Sequence, residues 1–394
     1  MNYIMFDNFR RNYLLPLSFT RPVTDFRFGI LTIREKWEHF LQAKTSTLTE
    51  EYLNTKFPIH KEDDNILING SICPTRELVD EVTSLKAGEA LVADTTIIAL
   101  HIEAEDLDKV GEGDTEGIRE ITTEADYLKI NNSWDIYAKN SQAIEDDFMR
   151  IRQSGESQKI SDTNRVISPE NVFIEEGATV EHAILNASKG PIYVGKGATI
   201  MEGAMIRGPV ALCNNAVIKM GAKIYGGTTI GPYCKIGGEI NNSVFFGYSN
   251  KAHDGYLGHS VIGEWCNMGA GTSNSNLKNT YDEVRLWSYP DRTFVPTGQT
   301  FCGLIMGDHT KSGINTSFNT GTVVGVNVNV YGPGFQRNFI PSFSWGGTSG
   351  FTHYDLSKAF EVARIVYGRR NKEFTEADEK IMESIYQLTF QHKK

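Results

Sequence analysis

Between residues 194 and 241 an aliphatic residue returns at every sixth position: Val194, Ile200, Ile206, Leu212, Ile218, Ile224, Ile230 and Ile236. Four residues after each of these stands Ala198, Ala204, Val210, Ala216, Ala222, Thr228, Cys234 or Ile240, small except at Val210 and Ile240. In a chain that is 40% hydrophobic, eight hits in one frame arise by chance less than about once in a thousand trials. A period of six fits neither a helix nor a lone strand, but it fits a short strand followed by a corner, three of which make one triangular coil of a parallel β-helix. The aliphatic residue then points to the axis and the small one sits where the wall turns. Coils stack at roughly 4.8 Å, and none is stable alone. The frame opens at Ile174 and Val180, is interrupted over 186–191, and slips after Ile240, resuming at Ile262 and Met268 two residues out of phase. The polar stretch Ser249–Gly258 falls in the slip and reads as an irregular loop, a natural place for chemistry on a rigid scaffold.

Residues 1–165 lack this rhythm and read as mixed α/β. Apolar runs at Asn65–Asn69 and Thr96–Leu100 predict buried strands, and Thr75–Lys86 and Ser141–Gln153 predict helices, with an acidic loop over Glu103–Glu116. A polar linker is expected around 150–172. Near the other end, 355–391 read as helix, with Leu356, Phe360, Ala363, Val366 and Tyr367 on one stripe and Ile381, Ile385 and Leu388 on another. These helices are expected to cap the prism or to pack on a neighbouring subunit, since a bare last coil is an open sheet edge. The domains predicted are thus 1–165 (α/β with linker), 166–350 (β-helix) and 351–394 (helical).

Composition narrows the function classes. A formal charge of −10 argues against a nucleic-acid surface while leaving room for a local phosphate pocket. The start MNYIMFDNFRR lacks a signal peptide's apolar core and no long apolar run follows, so no membrane segment and a cytoplasmic location are expected. Five cysteines, Cys73, Cys213, Cys234, Cys266 and Cys302, form no CxxC pair, and Cys234 and Cys266 take small-residue positions of a hexad, which points to packing. Leu14–Trp37 carries Arg21, Arg27, Arg34 and Lys36 among apolar residues and either binds an anion or presents one charged face.

The segments LLPLSFTRPVTDFRFGILTIREKW, DNILINGSICPT (64–75) and INNSWDIYAKNSQAIEDDF (130–148) together resemble the N-terminal domain of sugar-phosphate nucleotidyltransferases, in a shortened form. KAHDGYLGHSVIGEWCNMGAGT (251–272) is similar to the acetyltransferase half of the bifunctional family that makes UDP-N-acetylglucosamine, and GAGTSNSNLKNTYDEVRLW with GLIMGDHTKSGINTSFNTGTVVG resembles its archaeal-type members. The resemblance implies an α/β nucleotidyltransferase-like domain followed by a left-handed parallel β-helix with a helical tail. It departs from the family where no glycine-rich loop precedes Leu14-Leu15-Pro16, and where Gly70-Ser71 replaces a Gly-Asp whose carboxylate holds Mg2+; a hydroxyl does not replace that charge on a hard cation.

By the same resemblance His253 is the catalytic base, and Lys223, Glu239, Asn241, Tyr256 and Asn267 fall on positions that meet the amino sugar phosphate, with Asn241 standing where a second cation is expected. Ala270, Asn276, Lys278 and Arg285 fall near acetyl-CoA, and Arg21 is a candidate for contact with a nucleotide phosphate. The family is trimeric, with sites between subunits, so a homotrimer is implied. The chemistry agrees: an amine attacks a thioester only when unprotonated, and an imidazole, with an ordinary pKa of about 6.5, removes the proton during attack. Backbone amides of Gly269-Ala270-Gly271 are expected to stabilise the oxyanion. Three readings follow: an acetyl-CoA-dependent N-acetyltransferase for an amino sugar 1-phosphate; a bifunctional enzyme that also uses UTP and Mg2+; and a non-catalytic trimeric binding or assembly protein. His309, in Gly307–Lys311, is a second histidine of interest.

Overall fold

The computed structural model describes residues 1–107 and 116–390, so most of the acidic 103–116 stretch, and residue 391 of the expected helix, lie outside the described residues. The chain forms two compact units: Met1–Leu14, Thr20–Phe26 and Leu31–Asn131; and Leu15–Phe19, Arg27–Ile30 and Asn132–Lys394.

The first unit is built on a six-stranded mixed sheet in the order Thr45–Leu48, Asn2–Phe6, Asp64–Asn69, Thr96–Glu103, Glu89–Ala93 and Arg119–Thr122. The first three strands run parallel, and the hairpin 89–103 adds antiparallel pairs. Ile4, Leu67, Ala90, Leu100 and Ile102 alternate onto one core face. Helix Ile33–Leu41 starts at a capping box, Thr32 accepting from the Glu35 amide and Glu35 from the Thr32 amide. Helix Arg76–Ser84 starts at Thr75, whose side chain accepts from the Leu78 amide. Both predicted strands and both predicted helices of this region are present, with Ser141–Gln153 lying inside helix Asn140–Ser154 of the second unit.

The second unit is a parallel β-helix. Its first face runs from Arg165–Ile167 to Tyr256–Gly258, its second from Val172–Ile174 to Phe339–Ile340, and its third from Thr179–Val180 to Ser344–Gly347. All eight aliphatic residues of the hexad frame and seven of the partners four positions on belong to one continuous core, and the eighth partner, Thr228, is buried as well. Cys234 and Cys266 sit in that core, and all five cysteines are buried and unpaired in disulfides. Val194 pairs with Leu212 and Leu212 with Ile230, eighteen residues apart. Ile230 then pairs with Phe245 and Phe245 with Ile262, fifteen and seventeen apart. Much of the shortening lies at one corner, where three residues separate the inward Ile236 and Ile240 instead of the five between Ile218 and Ile224. The Ser249–Gly258 stretch is therefore not an irregular loop: Asn250–Lys251 and Tyr256–Gly258 are wall strands, and only the 252–255 corner lies between them.

Corners between the second and third faces adopt positive φ at Tyr233, Tyr248, Trp265 and His309, where glycine or asparagine is usual. Aromatic stacking offsets the strain: Tyr233 lies 5.1 Å from Tyr248, Tyr248 4.2 Å from Trp265, and Trp265 3.9 Å from Tyr367. Tyr367 belongs to helix Leu356–Gly368, which with Glu376–Thr389 forms the C-terminal pair. The helices thus pack along this corner of the prism, and the third face ends on the antiparallel strand Gly350–His353. Their buried residues are Ala359, Ala363 and Tyr367, then Asp378, Ile381, Met382, Ile385 and Thr389, whereas the expected stripe member Leu388 is exposed.

The outward residues of the second face are also buried, among them Phe173, Tyr193, Ala211, Thr229, Val244 and Ile305. Helix Asn140–Ser154 and the Arg27–Ile30 segment cover part of it. Thr229 donates to the Gly29 carbonyl (2.9 Å), Asn140 to Thr229 (2.9 Å), and the Gly29 amide to Asn140 (2.8 Å). Gly29 is required there: its φ is +83°, and a Cβ would lie 2.5 Å from the Ala143 carbonyl oxygen.

Ile218→Asp places a carboxylate in the aliphatic column without a partner, a cost above about 4 kcal/mol. The variant is expected to lose the β-helix, read by circular dichroism and gel filtration; a protein that melts like the parent excludes this frame.

Candidate functional site

The first face carries an outward column in which Lys223 pairs with Glu239 and Glu239 with Tyr256, one coil apart each. Beside it Asn241 pairs with Gly258. Strand alternation turns these side chains away from the core, because Ile224, Ile240 and Leu257 point in. The Asn276 amide nitrogen donates to the Tyr256 hydroxyl (2.9 Å) and to Nδ1 of His259 (2.8 Å). Burial raises the Tyr256 phenol above its usual range despite hydrogen bonds from Asn241 and Asn276, so the hydroxyl stays protonated and can donate outward. One chain therefore brings Lys223, Glu239, Asn241, Tyr256 and Asn276 to one face.

His253 lies in the 252–255 corner that feeds this face, with its side chain exposed. Asn267 stands on the third face, in register between Asn250 and Lys311. A single chain thus leaves Asn267 on a different wall from Tyr256. Ala270 lies at the corner leading back toward the first face. The expected oxyanion turn is largely committed elsewhere: the Gly269 amide donates to the Ser312 carbonyl and the Gly271 amide to that of Asp254, both at 3.0 Å. Those two amides belong to the ladder between coils, which the sequence motif alone does not reveal.

An excursion over 275–303 leaves the prism and carries the hairpin Arg285–Ser288 and Thr293–Pro296. Lys278 donates to the Glu283 carbonyl (2.5 Å), and Arg285 donates through Nε to the Phe294 carbonyl (3.1 Å), so both cations lie on this excursion and bond to backbone within it. His309 is buried, 4% exposed, beside the stacked pair Trp265 and Tyr367, and is part of the same aromatic corner.

The first unit holds a cleft of about 870 Å³ at the carboxyl ends of its parallel strands, lined by residues including Asp7, Arg10, Arg11, Thr49, Asn69 and Lys129. This is where open α/β sheets take ligands. Arg21 is buried and is not among the residues that line this cleft, where Arg10 and Arg11 are the guanidinium groups. Ser71 is buried and donates to Asn69 Oδ1 (2.7 Å). Asp7 is held by the Val23 amide, Thr49 and Arg11. Neither position offers a free carboxylate, and among the described residues no group of three His, Cys, Asp or Glu is placed to hold a metal. The carboxylate that the resemblance leads one to expect at position 71 is thus replaced by a hydroxyl already engaged with Asn69.

Residues 3–156 match the family model described as sugar nucleotidyl transferase. The chain is 28% identical over 186 residues to a bifunctional sugar-1-phosphate nucleotidylyltransferase/acetyltransferase of Sulfurisphaera tokodaii, covering 47% of this chain and 45% of that protein. It is 30% identical over 200 residues to the bifunctional protein GlmU of Methanococcus maripaludis, covering 50% and 41%. The likeness to these bifunctional proteins thus extends over part of the chain. The matched stretches span less than half the length of these curated relatives. Among solved structures, a UDP-N-acetylglucosamine acyltransferase from Campylobacter jejuni overlays at TM-score 0.25 and 15% identity, over 57% of this chain and 95% of that chain, too weak a likeness to bear on function.

In this GlmU-like chain the side chain that sequence reasoning missed is His259. It sits three residues after Tyr256 at a corner with φ +49°, stacks on Phe301 at 5.1 Å and meets the edge of Tyr137 at 5.7 Å. Its partner Asn276 comes from the 275–303 excursion, so only the folded chain shows the pair. Burial pushes the His259 imidazole down to about 4, and with Nδ1 accepting from Asn276 the ring is neutral with its proton on Nε2.

An unfolded histidine binds its proton near pH 6.5 and this one near 4, so between those values the unfolded chain binds more protons. Its contribution to stability is complete above about pH 6.5 and falls as the pH drops toward 4. His259→Asn, which tolerates the positive φ, is expected to flatten the acid-side decline of the melting temperature; an unaltered pH profile refutes the depressed pKa.

Proposed function

We propose that the chain is an N-acetyltransferase that moves the acetyl group of acetyl-CoA to the amine of an amino sugar 1-phosphate, in nucleotide-sugar synthesis. The observation that carries this reading is the outward column Lys223–Glu239–Tyr256, flanked by Asn241 and Asn276 and fed by the exposed His253 corner. Lys223 offers charge to the phosphate, and Glu239, Asn241 and Tyr256 offer hydrogen bonds to sugar hydroxyls. The amine lone pair attacks the thioester carbon and forms the C–N bond, and His253 takes the amine proton. Collapse of the tetrahedral adduct breaks the C–S bond, and the thiolate leaves with that proton. No acyl-enzyme is needed. Coenzyme A is assigned to the Ala270 corner and the Asn276–Arg285 excursion. Separation of Asn267 from Tyr256 on two walls supports a homotrimer in which each site is completed by a second copy. The domain limits 1–165, 166–350 and 351–394 and a cytoplasmic location belong to the same proposal; among the described residues no helix is long and apolar enough to cross a membrane.

A second reading, nucleotidyl transfer from UTP, is favoured by the cleft with Arg10, Arg11 and Lys129, which suits a nucleotide phosphate. It is opposed by the lack of a carboxylate at Ser71, and we assign that cleft binding without metal-dependent transfer.

Incubation with acetyl-CoA and a panel of amino sugar 1-phosphates is expected to release free thiol, with no pyrophosphate when UTP and Mg2+ are added. His253→Ala is expected to lower the rate by about 100-fold or more with an unchanged circular dichroism spectrum. Full activity in that variant removes His253 from the mechanism, and pyrophosphate release restores the bifunctional reading.

A further inference from the structure

The third-face column that points into the prism reads Val180, Ile200, Ile218, Ile236, then Lys251, then Met268. Lys251 pairs in register with Ile236 and is 1% exposed, among the largest fully buried side chains of the chain. Folding alone favours an aliphatic residue there. A cation inside an apolar column loses its hydration, and burial accordingly pushes the Lys251 ammonium down to about 8, with Asp254 opposing. The position therefore carries a cost that its coil neighbours avoid.

What the lysine gains is one short bond. Its Nζ donates to the carbonyl oxygen of His253 at 2.6 Å, reaching from inside the prism to the corner that presents the exposed imidazole. The corner beneath is the shortened one, Gly237-Gly238, and the 252–255 backbone presses directly upon it: a Cβ on Gly238 would lie 2.7 Å from the Gly255 oxygen and 2.9 Å from that of His253. The His253 carbonyl is thus gripped from inside while its corner rests on glycine from below.

Resting on the acetyltransferase reading above, we propose that Lys251 is a positioning residue: its buried ammonium holds the His253 carbonyl and so fixes where the imidazole meets the substrate amine. Lys251 does not touch the reacting atoms. It spends stability to hold a corner still, and a displacement of about 1 Å at such a corner is enough to cost about 100-fold in rate.

The test is Lys251→Met, which keeps the length and apolar fit of the column and removes the donor, with Lys251→Ile in parallel as the column's own residue type. Both are expected to melt higher than the parent, to exchange the amide hydrogens of 252–256 faster, and to lower kcat about 10- to 100-fold with KM for the amino sugar phosphate unchanged. A higher melting temperature with unchanged kcat overturns the inference, as does loss of folding in both variants, because a purely structural lysine predicts either of these. Unaltered exchange at 252–256 overturns it whichever way activity falls. Parent protein that releases no thiol with any substrate counts against the acetyltransferase reading instead, and the exchange and melting measurements separate the two failures.

Discussion

Everything in the second unit depends on one constraint: a parallel coil has no internal means of satisfying its backbone, so each coil is stable only if the next repeats its shape. Stacking requires every inward side chain to lie over another of similar bulk, and the aliphatic residues from Val194 to Ile236, shared among three walls, meet that requirement for eight successive hexads. Where the repeat departs from eighteen residues per coil, the departure is confined to corners, because a change inside a wall strand would reverse its inward and outward faces. Both the short Gly237-Gly238 corner and the 275–303 excursion obey this rule. The residues assigned to chemistry stand at or beside those departures.

Much of the fold was legible in the sequence because burial on a fixed period leaves a direct trace. Cys234 and Cys266 were placeable as packing residues for the same reason. The polar stretch around Lys251 misled, since a lysine at an inward position looks the same in a sequence as a lysine in a loop; only its register with Ile236 shows that the wall continues. The corners of the second and third faces also escaped notice, because Tyr233, Tyr248 and Trp265 hold conformations usually left to glycine and are supported by rings stacked from neighbouring coils and from Tyr367.

The candidate site was legible in part. Lys223, Glu239, Asn241 and Tyr256 were singled out through the family resemblance, and it is the register of coils sixteen and seventeen residues apart that puts them on one face. Asn276 and His259 meet through an excursion whose return path no spacing predicts. A sequence motif does not distinguish a buried guanidinium such as Arg21 from one in a cleft, and the Gly269 and Gly271 amides were overvalued because pairing between coils consumes them.

The second face has a consequence for how this chain tolerates change. Its strands bury both sides, inward against the axis and outward beneath helix Asn140–Ser154 and the Arg27–Ile30 segment. The other two walls are free to vary on alternate residues, so ligand specificity can drift there without disturbing the stack. The second wall has no such freedom, and its short strands answer to two interiors at once. A lineage of these proteins can therefore diversify what it binds on two sides of the prism while the third remains a fixed record of its ancestry.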